Sequence, residues 1–66
     1  MDTVIFSGTL SNGLEVCVWW IIDDALYFVE VVDPDNIYSS KLDEEIKDAK
    51  GVLSYLSALQ RCKQKD

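Results

Sequence analysis

The sequence predicts an α+β domain: a three-stranded antiparallel β-meander with one C-terminal α-helix packed on one face (β-β-β-α). Two observations carry this. Three apolar runs rich in β-branched and aromatic residues, about 3–10, 14–22 and 25–33, are separated by turn residues. A helical stripe then follows: Leu42, Ile46, Ala49, Leu53, Leu56 and Leu59 recur three and four positions apart, widened by Val52, Tyr55 and Cys62. At 66 residues there is room for a single domain, spanning 1–66.

The first strand ends at Ser11-Asn12-Gly13. Two loops compete there. A two-residue Asn12-Gly13 turn would aim Thr3, Ser7, Thr9 and Ser11 at the core. A three-residue loop with Gly13 left-handed pairs Leu10 with Leu14, Gly8 with Val16, Phe6 with Val18 and Val4 with Trp20. The second is favoured because a one-residue slip turns every side chain of a strand to the other face.

Between the second and third strands, Asp23-Asp24 reads as a two-residue turn. The pairs are then Ile22/Ala25, Trp20/Tyr27, Val18/Val29 and Val16/Val31 on an apolar core face. Ile21/Leu26, Trp19/Phe28, Cys17/Glu30 and Glu15/Val32 fall on the other. This register keeps both glutamates out of the core. Pro34 ends the third strand.

The helix is predicted from about 41 to about 63, roughly 33 Å long. Ser40 is its expected N-cap, with Asp43 at N3. Asp43, Glu44 and Glu45 in the first turn and Arg61, Lys63 and Lys65 in the last suit the helix dipole. Gly51 interrupts the helix at a cost of about 1 kcal/mol relative to Ala. It marks either a close approach to the sheet or a kink.

Composition narrows the function. The chain has 12 Asp+Glu, 6 Lys+Arg and no His, a net charge of −6, with 48% hydrophobic residues. The absence of His removes most metal, proton-shuttle and triad chemistry. No enzyme activity and no cofactor are expected, and the negative charge argues against direct nucleic-acid binding. Asp33-Pro34-Asp35-Asn36 resembles the opening of a calcium loop, but the Gly and Glu of that motif do not follow. The longest apolar run, Val16 to Ile22, is too short to span a membrane. No signal peptide is visible, so Cys17 and Cys62 are read as reduced thiols in a cytoplasmic protein.

The charge is divided unevenly. Residues 1–40 carry seven acids and no Lys or Arg; residues 41–66 carry six bases and five acids. One helix covers one sheet face, so Trp19, Ile21, Leu26 and Phe28, with Ile5, would form an apolar cluster on the other. Asp23, Asp24 and Glu30 would rim it, with Asp2 a further candidate. Asp33 and Asp35 continue the acidic run. Two readings of the cluster stand: the interface of a structural homodimer or assembly module, or an anchor for a basic protein surface. The acids likewise read as solubilising turns and edges, or as a surface competing with nucleic acid for a basic groove. Asp43, Glu44, Glu45 and Asp48 would extend that surface, or serve the helix alone.

In size, net charge and its Lys/Arg-free half, Met1–Ser40, the chain resembles the small acidic inhibitors of bacteriophages and mobile elements, anti-CRISPR and anti-restriction proteins among them. The resemblance spans the whole chain and assigns no residue a role. It implies stoichiometric binding to a host defence enzyme, often at its nucleic-acid site. The order of strands then helix is also similar to that of some toxin-neutralising antitoxins.

Overall fold

The computed structural model describes residues 2–34 and 42–61. They form β1 (Thr3–Thr9), β2 (Glu15–Ile21), β3 (Leu26–Val32), β4 (Glu44–Ile46) and α1 (Ala49–Gln60). The four strands make one sheet in the order β1-β2-β3-β4, each neighbour antiparallel. The fold is α+β with one helix, as the sequence predicts, but with a fourth, three-residue strand.

The β2–β3 register is the predicted one from Glu15↔Val32 to Ile21↔Leu26. The Ala25 N–H donates to the Ile22 carbonyl at 3.3 Å, closing the turn over Asp23 and Asp24. Ala25 has φ +50°, a left-handed conformation costly for a residue with a Cβ. Ala25→Gly is therefore expected to stabilise the domain by about 0.5–1 kcal/mol, read as a higher urea midpoint. An unchanged or lower midpoint would show that this turn stores no strain.

The first hairpin uses the three-residue loop. Leu10 N–H donates to Leu14 C=O at 2.7 Å, Gly13 N–H donates to Leu10 C=O at 3.0 Å, and Gly13 has φ +92°. Asn12 does more than turn the chain. Its Oδ1 accepts from Leu14 N–H at 3.3 Å, and its Nδ2 donates to the Leu59 carbonyl at 2.8 Å, at the far end of α1. One side chain thus fixes the hairpin and satisfies a terminal helix carbonyl.

The β1–β2 register holds from Thr9↔Glu15 to Phe6↔Val18 and then shifts by one, giving Val4↔Trp19 and Thr3↔Trp20. The predicted Val4/Trp20 pair is replaced because a β-bulge sets Ile5 and Phe6 together opposite Val18. Ile5, expected on the uncovered face, joins Phe6 on the helix side, and Val4 takes the uncovered side.

The predicted helix of 41–63 is corrected to Ala49–Gln60, about 18 Å long. Glu44, Glu45 and Ile46 instead pair with Val29, Phe28 and Tyr27. Asp43 is not a helix N3 residue: its Oδ1 accepts from Val31 N–H at 2.8 Å, continuing the ladder with a side chain. The Tyr55 hydroxyl donates to the Leu42 carbonyl and ties this segment to α1. The N-cap is Asp48, whose Oδ1 accepts from Gly51 N–H at 2.6 Å. The expected cap Ser40 lies outside the described residues, as do Asp35 and Cys62.

Leu14, Val16, Val18, Val29, Val52 and Leu59 are the buried core, with Tyr27, Val31, Leu42, Ile46, Tyr55 and Leu56 packed around it. The Trp20 and Tyr27 rings lie 4.9 Å apart on the same side. Starting at Ala49 turns the helix so that Val52, Tyr55, Leu56 and Leu59 face inward. Leu53, expected in the core stripe, is 67% exposed. The helix packs over β3 and β4, leaving the β1 side of the sheet uncovered.

Candidate functional site

The face opposite α1 is built by alternation along β2 and β3. Cross-strand pairing sets its side chains in rows. Ile21 stands beside Leu26. Val4, Trp19, Phe28 and Glu45 form a row across all four strands. Ser7, Cys17 and Glu30 form the next, and Thr9, Glu15 and Val32 the last.

Trp19 and Phe28 are half-buried and adjacent at the centre. The Trp19 indole Nε1–H donates to Glu30 Oε1 at 3.3 Å, along the diagonal between rows. That bond lays the indole across the sheet and satisfies its one polar atom, leaving a largely apolar surface. Asp2, Trp19, Ile21, Phe28 and Glu30 line a shallow depression of about 270 Å³. A second depression of about 290 Å³ lies one row on, among Ser7, Thr9, Glu15 and Cys17, whose thiol is free.

Not all predicted site residues meet. Trp19, Ile21, Phe28 and Glu30 line one depression, and Leu26 stands next to Ile21. Asp23 and Asp24 are exposed on the turn beyond Ile21 and Leu26. Asp33 follows the other end of β3, roughly 24 Å along an extended strand of seven residues. Asp23 and Asp24 are thus separated from Asp33 by the length of one strand, and of these predicted acids Glu30 is the one described beside the aromatics. Glu45, read as a helix residue, joins the face as the partner of Phe28. With Asp2, Glu15 and Glu30 it makes four carboxylates on this side.

No basic residue is interleaved on these strands, because residues 2–34 contain no Lys or Arg. The basic residues described are Lys47, Lys50 and Arg61, at and beyond β4. Among the described residues, the arrangement is an aromatic centre with a margin of carboxylates. In interfaces of this build a rim shields the aromatic centre from water, and its charge acts mainly on association rate and selectivity. Among the described residues, no group of three or more His, Cys, Asp or Glu is placed to hold a metal ion. No helix among them is long and apolar enough to cross a membrane.

Comparison with protein-family models, with curated proteins and with solved structures found no match. The functional reading therefore rests on the face itself.

Proposed function

We propose that this chain is a protein-binding inhibitor that sets its uncovered, acidic sheet face on a basic protein surface. Its target is a nucleic-acid-binding or defence enzyme, and it acts by occupying the site that nucleic acid would use. The observation that carries the reading is Trp19 and Phe28 sharing one depression with Asp2 and Glu30. Aromatic side chains are favoured interface anchors. A Lys/Arg-lined groove built for phosphates supplies the counter-charge for the carboxylates. Size, acidity and the Lys/Arg-free half support a phage-borne inhibitor of the anti-CRISPR kind acting in the host cytoplasm.

The test is affinity capture from host lysate with mass spectrometry, followed by competition. A true target is released by excess nucleic acid and by raised salt, which shortens the Debye length from about 10 Å at 0.1 M to about 3 Å at 1 M. Trp19→Ala is expected to weaken its binding about 30-fold, the loss of a 2 kcal/mol anchor. Glu30→Lys is expected to do at least as much, because it removes the indole's partner and inverts the rim charge. Asp23→Lys, at the turn, should matter less. Capture unaffected by both Trp19→Ala and Glu30→Lys would sink the assignment.

A further inference from the structure

We propose that β1 is the interface to a second copy of this chain, paired antiparallel so that two four-stranded sheets become one of eight strands. This goes beyond the inhibitory reading and uses a different surface.

The two sheet edges are unlike. The β4 edge is three residues long, with Glu44 and Glu45 in it and Lys47 after it. Short, charged strands are how sheets discourage further pairing. β1 has seven residues, all exposed, and its sequence Thr3–Thr9 contains no charge and no proline. In the first hairpin, Leu10 N–H bonds to Leu14 C=O. Alternation then points the N–H and C=O groups of Phe6 and Gly8 at β2, and those of Ser7 and Thr9 outward. Four backbone groups are therefore in position to pair with another strand.

The bulge adds an apolar flank. Ile5 and Phe6 face the helix side together, 53% and 47% exposed. They border a groove of about 310 Å³ floored by Val18 and Tyr27 and walled by Val52, Leu53 and Leu56 of α1. Leu53 on its rim is the most exposed large apolar residue described.

Charge selects the occupant. The chain is at −6, so most approaches of two copies set carboxylate against carboxylate. β1 is uncharged, and the one charged residue of α1 is Lys50. With Asp2 before β1 and Asp48 at the cap of α1, this is the described side on which two copies set the fewest acids against each other. A basic partner has no charge to find on β1.

The pairing is self-complementary about a two-fold axis. With Gly8 on the axis, Ser7 and Thr9 exchange bonds with Thr9 and Ser7 of the partner subunit. The Phe6 ring lies over Gly8, 3.5 Å from where a Cβ would stand. The two Phe6 rings then meet across the glycines. The strand and its flank engage fewer residues than the roughly 20–30 per side of a standard interface, so the dimer is expected to be weak and concentration-dependent.

Sedimentation equilibrium from about 10 μM to about 1 mM covers the range in which such interfaces dissociate. The mass is expected to rise from 7.5 kDa toward twice that value. Ser7→Pro removes an outward donor while sparing the β2 ladder, and Leu53→Asp charges the groove rim. Each should raise the dimer Kd at least about tenfold with an unchanged far-UV spectrum. If Ser7→Pro fails to fold, Leu53→Asp decides alone. A monomer at every concentration overturns the proposal, including one whose capture of a host protein is lost in Leu53→Asp, which would place a foreign strand on this edge. So does a dimer that survives the folded variants and is lost in Phe28→Ala. None of these outcomes depends on Trp19-dependent capture, so the two readings fail separately.

Discussion

Leu59→Ala will cost the domain about 2–5 kcal/mol. Leu59 is 1% exposed and packs in the cluster with Leu14, which is fully buried. Removing its branched end leaves a void where the end of α1 meets the first hairpin. The same residue's carbonyl accepts from Asn12 Nδ2, so any backbone shift that fills the void stretches that bond. A domain of 66 residues has a total stability of only about 3–10 kcal/mol. The variant should therefore show a greatly lowered urea midpoint or be largely unfolded at room temperature. An unchanged midpoint would mean that the helix does not depend on this contact for its place on the sheet.

Gly51→Ala should destabilise, although helix propensity alone favours alanine by about 1 kcal/mol. A Cβ at Gly51 would stand 2.6 Å from Ile46 Cγ2 and 2.7 Å from Asp48 Oδ1. Ile46 is held by pairing with Tyr27, and Asp48 Oδ1 is the cap acceptor for Gly51 N–H. Neither can withdraw freely. Overpacking costs about 1–3 kcal/mol, and displacing the cap adds about 1 kcal/mol. The expected net loss is about 1–3 kcal/mol, read from urea unfolding. Asp48→Ala alone should lose only the cap, and combined with Gly51→Ala it should lose less than the two separate losses together. A stabilised Gly51→Ala would show that α1 stands farther from β4 than these distances.

Gly51 also illustrates where the sequence stopped being legible. Its close approach to the sheet was one of two readings, and choosing between them required knowing that Ile46 is in a strand. Leu42 and Ile46 are four positions apart, a spacing that puts residues on one side of a helix and also on one side of a strand. Both readings bury the two side chains. The competition was settled by Asp43, whose carboxylate found the Val31 N–H, and by Asp48, which caps a later start. Neither partner is near in sequence. The β2–β3 register was legible because the Asp23-Asp24 turn fixed its phase and Glu15 and Glu30 then fell together on the side away from the core. The bulge was not, since Ile5 and Phe6 are both apolar and a run of apolar residues carries no phase.

The candidate face was legible to the same degree. Trp19, Ile21, Phe28 and Glu30 could be placed together from alternation alone. The acids could not, because sequence proximity along an extended strand is distance in space: Asp23 and Asp33 are ten positions and one strand apart. Glu45 was out of reach until β4 was known.

Every strand of the sheet neighbours the next in chain order, so pairing can proceed sequentially, across five residues between β1 and β2, four between β2 and β3, and eleven between β3 and β4. The Asn12–Leu59 bond is of another kind, joining positions 47 apart. Closing a loop of that length is entropically expensive until both ends are already formed. If α1 docks after the main barrier, unfolding begins at the helix end. Asn12 then acts less on how quickly the domain folds than on how long it stays folded.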